Sequence, residues 1–145
     1  MPMPLQIADA VVTELANAPA GTFSQAFTPE RRVLPQFELS QLSDIKVAVV
    51  PRGIEIDNHT RMSSQYTIQI DIGVQKRLGK DLEVEVEPMM QLVEEIIGHM
   101  RRLPLRNAPT AVWVRTRNEP IYSSEHLAEQ RVFISVITVT YLMVG

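Results

Sequence analysis

One ten-residue segment, residues 66–75, constrains the fold of this chain more than any other. Its apolar members alternate strictly with smaller or polar residues, in the order Tyr66, Thr67, Ile68, Gln69, Ile70, Asp71, Ile72, Gly73, Val74 and Gln75. Successive side chains of a β-strand point to opposite faces of its sheet, so this alternation predicts a strand with one buried and one polar face. The rest of the chain must then supply elements that cover the apolar face.

Four further segments are predicted to be strands. Residues 45–50 are rich in β-branched side chains and are expected to end at Pro51. Residues 132–142 are apolar on both faces, which is typical of a strand in the middle of a sheet. Shorter strands are predicted at residues 22–27 and 110–116.

Two segments have helical periodicity. Residues 5–15 form an amphipathic pattern, with Gln6, Asp9, Thr13 and Glu14 opposite the apolar face. Residues 82–87 alternate apolar residues with glutamate, but Pro88 suits a first helical turn better than a strand. The second helix is therefore predicted to run from Pro88 to about Arg102, with an apolar stripe of Met89, Leu92, Val93, Ile96, Ile97 and Met100.

Three connections, residues 28–44, 51–64 and 117–130, are longer than is usual in a small domain. They carry apolar side chains, which argues against disorder and favours contacts with other molecules. Residues 51–64 are interpreted as a long hairpin connection or arm that pairs partly through its isoleucines. The candidate inter-subunit residues of this arm are Ile54, Glu55, Ile56, Asp57 and Arg61.

The order of these elements predicts an α+β fold. We expect a mostly antiparallel sheet of four to five strands, two amphipathic helices packed on one face, and long loop arms. The 145 residues contain no repeat, low-complexity run or linker, so a single domain spanning residues 1–145 is predicted.

Composition narrows the function. The chain is 45% hydrophobic and 21% charged, as in ordinary soluble domains, and its net charge of −3 does not indicate a nucleic-acid binder. It has no cysteine, which excludes a thiol nucleophile or a disulfide. No apolar run approaches the roughly 20 residues of a membrane helix, so no membrane association is expected.

The residues that carry chemistry form no recognisable catalytic pattern. His59, His99 and His126 lie far apart, without metal-binding spacing, and the serines lack a nucleophile elbow. We therefore expect no enzyme activity, no cofactor and no metal. A group of acids could serve acid–base catalysis or bind Mg²⁺ or Ca²⁺, but a solvated group that complements the helix dipole is the simpler interpretation. These acids are Asp81, Glu83, Glu85, Glu87, Glu94 and Glu95.

Basic residues follow the acids along the chain, at Arg101, Arg102, Arg106, Arg115 and Arg117. One interpretation is a solvated, dipolar surface. The other is a basic interface that meets the acids of a second copy, since head-to-tail pairing closes a ring when the rotation permits.

Five segments resemble a family of small structural proteins from the tail and neck of long-tailed bacteriophages and prophages. They are I-K-V-A-V-V-P-R (45–52), Y-T-I-Q-I-D-I-G-V-Q-K-R (66–77), L-V-E-E-I (92–96), P-I-Y-S-S-E-H-L (120–127) and R-V-F-I-S-V-I-T-V-T-Y (131–141). The order of elements is also similar to the tail-terminator, or tail-completion, fold. The resemblance covers most of the chain.

The resemblance implies a homo-oligomeric ring, usually a hexamer, in the virion of a phage assembled in the bacterial cytoplasm. Such a ring caps the tail-tube protein, stops its polymerisation and meets the head-side connector, while DNA passes through the lumen without specific binding. It supplies no catalytic residues. The acids between residues 81 and 95 are then candidates for the lumen lining, because like charges repel DNA, and the exposed ends of a strand such as residues 132–142 are expected to pair across subunits.

Three alternatives remain open at the level of sequence. A neighbouring neck or head-closure protein and a tail-tube subunit belong to the same class of structural proteins. A small α+β enzyme or ligand-binding module belongs to another class, and its mark would be a deep pocket with convergent polar groups.

Overall fold

The computed structural model describes residues 1–34 and 37–145. Its helices and strands in chain order are α1 (Met3–Ala16), β1 (Pro29–Arg31), a short 3-10 helix (Leu39–Gln41), β2 (Lys46–Thr60), β3 (Ser63–Arg77), α2 (Leu82–Met100), β4 (Val112–Arg117), α3 (Ser124–Gln130) and β5 (Val132–Val144).

The five strands form one sheet in the order β1-β2-β3-β5-β4. Every neighbouring pair is antiparallel except β1 and β2, which run parallel, so the sheet is mixed. The α+β class and the mostly antiparallel sheet are confirmed. β5 lies between β3 and β4, as its apolar residues on both faces indicate, and so it is not a free edge of the sheet.

The two faces of the sheet have different coverings. On the face that we call the helix face, β3 presents Ile68, Ile70, Ile72 and Val74, all fully buried in one cluster with the apolar sides of α1 and α2. The two predicted helices therefore share one face of the sheet. The opposite face, which we call the open face, carries residues such as Gln69 and Asp71 of β3 and Thr138 and Thr140 of β5.

Two predictions about strands are wrong. β2 does not end at Pro51 but continues to Thr60, because Pro51 borders a β-bulge and lies beyond the stretch that pairs with β1. Residues 22–27 form no strand. Instead Phe23 and Phe27 pack together with a ring separation of 5.0 Å against the core, and the short β1 forms within the connection predicted to be irregular.

Two predictions about helices also need correction. α2 begins at Leu82 rather than Pro88, because Asp81 accepts a hydrogen bond from the Val84 N–H and caps the helix. Pro88 therefore lies inside the helix. A third helix, α3, forms in the connection predicted to be a loop, where Ser123 caps it by accepting from the His126 N–H. α3 has seven residues and no fully buried side chain, so hydrophobic periodicity gave no signal for it.

Among the described residues, none of the helices combines the length and apolar character needed to span a membrane.

Candidate functional site

The β2–β3 hairpin extends past the part of the sheet that the helices cover. A bulge at Pro51–Gly53 separates its base from the distal part, residues 54–67, which we call the arm. The arm is paired along most of its length, with Ile54 opposite Ile68 and Ile56 opposite Tyr66, and its register is interrupted only between Asn58 and Thr60, whereas the sequence indicated partial pairing. A hydroxyl–hydroxyl hydrogen bond of 2.6 Å between Thr60 and Ser63 closes its tip.

The arm exposes apolar side chains to solvent. Ile54 is 44% exposed, Ile56 is 58% exposed, and Met62 at the tip is 92% exposed. Both isoleucines lie on the helix face, since they pair with Ile68 and Tyr66, yet neither belongs to the core cluster. Contiguous exposed apolar residues in a soluble protein are typical of a contact surface.

The arm also carries an acidic pair. Glu55 and Asp57 are opposite Thr67 and Gln65, so they point to the open face. Both are exposed, and neither forms an ion pair with any residue in the described ranges. Arg61, the remaining predicted arm residue, lies exposed in the turn between the strands.

The predicted basic residues do not form one patch. Arg101 and Arg102 are exposed in the turn after α2, whereas Arg106 is hydrogen-bonded to Glu14 on α1. Arg115 and Arg117 lie two positions apart on β4, opposite Thr140 and Thr138 of β5. Only these last two are brought together on one face of the sheet.

Arg115 and Arg117 line a depression of about 310 Å³ on the open face. Arg52, which the sequence did not single out as a basic-interface residue, enters the same depression from β2. Its guanidinium donates to the Thr138 hydroxyl at 3.1 Å and lies 3.7 Å from the Asp71 carboxylate. Arg117 pairs with the exposed Glu119 at 2.8 Å, while Arg115 has no ion-pair partner within the part of the chain that the structure describes.

The six predicted lumen acids fall into two groups. Asp81 and Glu85 hold the start of α2, because Asp81 caps Val84 and Glu85 accepts from the Gly79 N–H at 3.1 Å. Glu95 is also held by hydrogen bonds. Both the backbone N–H and the hydroxyl of Ser24 donate to Glu95 at 2.8 Å. Partial burial on its own would raise the pKa of Glu95, but these hydrogen bonds outweigh it and lower that pKa.

The other three acids form a continuous surface. Glu83, Glu87 and Glu94 are all exposed, and their spacing of one and then two helical turns places them on the same side of α2. We call these three residues the acidic face. It points away from the sheet, because the buried residues of α2 occupy the other side of the helix.

An ion pair between the buried Glu14 and the exposed Arg106 joins α1 to the loop after α2. Glu14 is only 4% exposed, although the sequence placed it on the polar side of α1. Its carboxylate accepts from the Arg106 Nε at 2.8 Å and from the Arg106 backbone N–H at 3.2 Å. Burial on its own would raise the pKa of Glu14, but the hydrogen bonds and charge of Arg106 outweigh it and lower the pKa.

The surroundings of this pair explain its structural role. His99 contacts the Glu14 carbonyl oxygen at 3.0 Å, and its ring lies edge-on to Phe23 at 5.5 Å. Burial raises the pKa of the Tyr141 hydroxyl, and the charge of Glu14 raises it further. The cluster therefore binds α1, α2 and the following loop together.

The three histidines do not converge. His59 lies exposed on the arm, His99 beside α1, and His126 against the Ser123 hydroxyl at 2.7 Å. Among the described residues, no group of three or more His, Asp or Glu side chains is placed to hold a metal ion.

The sequence matches no protein-family model, and a search of curated proteins finds no significant match.

Proposed function

We propose that this protein is a non-enzymatic structural component of a phage virion, a tail terminator. In this role several copies close into a ring on the last ring of the tail tube. The ring stops tube polymerisation and presents a surface to the head-side connector. The resemblance of five sequence segments to tail and neck proteins supports this proposal, and the arm is the structural observation that carries it.

The arm fits a subunit contact for a physical reason. Complete burial of an isoleucine side chain contributes about 1.5–3 kcal/mol, and Ile54 and Ile56 each retain roughly half of their surface in solvent. Covering both therefore contributes about as much as burying one more whole isoleucine. Burial of this exposed surface against a second copy would therefore favour association.

Charge is distributed in a way that suits a ring through which DNA passes. The acidic face of α2 carries three carboxylates without ion pairs to described residues. If the acidic face lines the lumen, it repels the phosphates and lets the duplex slide. Asp81, Glu85 and Glu95 act in this proposal as local supports of α2 rather than as lumen charges.

The solution mass of the purified protein tests the proposal. Light scattering, followed by negative-stain imaging of the same sample, should show a discrete ring of about six subunits with a central hole. Filaments would instead indicate a tail-tube subunit, because such subunits polymerise without limit.

A second assay separates a terminator from a neck or head-closure protein. When the protein is added in small amounts to the polymerising tail-tube protein of the same phage, a terminator should shorten the tubes and appear at their ends. Tubes of unchanged length, without the protein at either end, would contradict the terminator function.

A further inference from the structure

The sheet has two stretches of free edge at its opposite sides. β1 pairs with β2 only at residues 47–49, so the outer edge of β2 has no strand beside it along the arm. β4 is the last strand on the other side. Unpaired edge groups are ready to hydrogen-bond to another strand. No other strand of the described residues covers either stretch.

The directions of these two edges are compatible with each other. From β2 to β3, β5 and β4 each neighbour is antiparallel, so β4 runs opposite to β2. A second copy placed beside β4 in the same orientation therefore presents its β2 antiparallel to β4. The same step repeated from copy to copy is a head-to-tail contact, which closes into a ring when the rotation permits.

The charges on the open face are complementary. The arm carries Glu55 and Asp57 there, and β4 carries Arg115 and Arg117. All four side chains are exposed. Each pair is separated by two positions, which is the spacing of neighbours on one face of a strand. Opposite charges on adjacent strands stabilise the pairing and select its register.

The apolar residues on the helix face are complementary too. Beside β4 lies a depression of about 500 Å³, whose lining includes Leu103, Pro104 and the half-buried Trp113. Trp113 pairs with Tyr141 and so lies on the helix face, as Ile54 and Ile56 do. An arm that adds to β4 brings its isoleucines to the side of the sheet where this depression opens.

We infer that the arm of one copy adds as an antiparallel strand to β4 of the next copy, with Glu55 beside Arg117 and Asp57 beside Arg115. The inference rests on the proposed ring and names the two surfaces that form its subunit contact. The occupant of the β4 edge is thus a second copy of this chain.

Bulges limit where this pairing takes place. β2 is interrupted at Pro51–Gly53 and again between Asn58 and Thr60, and β4 is interrupted between Trp113 and Arg115. Irregular edges suppress unspecific strand addition, so the arm is matched to one short stretch of β4. Glu55 and Asp57 lie between the two interruptions of β2, and the two arginines belong to the regular stretch that follows the bulge in β4.

Engineered cysteines test the contact directly. The chain contains no cysteine, so Glu55→Cys and Arg117→Cys would introduce the only thiols. Within one copy, β3 and β5 separate these positions by three strand spacings, about 14 Å, which is too far for a disulfide. A mixture of the two single variants should form a disulfide-linked dimer on mild oxidation, as should the pair Asp57→Cys and Arg115→Cys, because residue numbers run in opposite directions on antiparallel strands. A matched mixture of Glu55→Cys with Glu129→Cys on α3 should not.

Charge reversal provides a second, independent test of the contact. Glu55→Arg with Asp57→Arg, and separately Arg115→Glu with Arg117→Glu, should each weaken self-association by about ten- to a hundredfold in sedimentation experiments. All four reversals in one chain should restore it, which a merely misfolded variant would not do.

The outcomes separate this inference from the proposed function. Rings that form normally, without cross-linking and without sensitivity to either reversal, would overturn the β4 contact and leave the ring standing. A wild-type protein that does not self-associate, together with cysteine variants that do not cross-link, would overturn both.

Discussion

At the scale of single residues, the most informative side chain is Glu14. Its position in the helical pattern places it among polar residues, but in the fold it is nearly inaccessible and paired with Arg106. A buried carboxylate is tolerated only with such partners, because an isolated buried charge loses its hydration without compensation. Arg106 therefore has a structural role in pairing with Glu14, in addition to any part in the predicted basic interface.

This pair predicts a dependence of stability on pH. The pKa of Glu14 is lower in the folded state than the ordinary value of 4.5, so its contribution is fully present above that value. The contribution is lost as the pH falls through the lower, folded pKa. The Glu14→Gln variant should lose about 1–2 kcal/mol of unfolding free energy at neutral pH and show a shallower loss below pH 4.5.

Denaturant unfolding at several pH values measures this effect. Glu129→Gln, at an exposed position of α3, is the matched control and should follow the wild type. Identical pH profiles for Glu14→Gln and the wild type would show that the ion pair contributes nothing to stability.

At the scale of elements, α2 begins earlier than its proline predicts, because tertiary packing outweighs the local preference of proline for a first helical turn. Pro88 is a common first-turn residue, yet α2 starts at Leu82 and buries both Val86 and Met89 on the two sides of the proline. Burial of Val86 and the cap at Asp81 outweigh the backbone hydrogen bond that proline cannot donate.

Pro88 should therefore lower the free energy of unfolding without preventing the helix from forming. Pro88→Ala restores an N–H donor at an exposed position and should raise the unfolding free energy by about 1–3 kcal/mol. Thermal unfolding of the variant beside the wild type measures the change. An unchanged or lower melting temperature would mean that the proline fits this helix without strain.

The arm gives a prediction at the same scale. Glu55 and Thr67 are paired, so residues 56–66 can be replaced by Asn-Gly, a two-residue turn that closes a hairpin. Since the core cluster contains no residue from that stretch, the shortened protein should fold with a melting temperature within about 5 °C of the wild type, but as a monomer. Circular dichroism and light scattering on one sample measure both properties. A shortened protein that still assembles with the same number of subunits as the wild type would refute the arm as a subunit contact.

At the scale of the whole molecule, the two charged surfaces lie on opposite sides of the sheet. The acidic face covers the outer side of α2, and the arginines at 52, 115 and 117 lie on the open face. In a ring built by joining the sheet edges, only one of these surfaces lines the hole. The lumen prediction therefore requires that the helices face inward.

Charge reversal on the acidic face tests that orientation. Glu83→Lys, Glu87→Lys and Glu94→Lys together should leave the ring mass unchanged and slow the exit of DNA, because three cations in the lumen would bind phosphates. Phage particles complemented with the variant should eject DNA more slowly, and more so at low salt. Loss of the ring would instead place the acidic face in the subunit contact, and normal ejection would place it on the outside.

Some of this structure is determined by the sequence alone. The alternation in β3, the two-sided apolar pattern of β5 and the helical stripes of α1 and α2 specify which faces must be buried, because burial of those residues provides most of the folding free energy. The α+β class and the mostly antiparallel sheet follow from these patterns.

Only the tertiary structure decided the remaining features, and each depends on partners that are distant in sequence. Glu14 is buried because Arg106, 92 residues away, supplies its hydrogen bonds. β2 continues past Pro51 because it bulges there and then pairs again with β3, and Arg52 joins Arg115 only because β3 and β5 set the spacing between β2 and β4. Local sequence patterns indicate which residues are buried, whereas long-range strand pairing and helix packing decide which polar and charged residues come into contact.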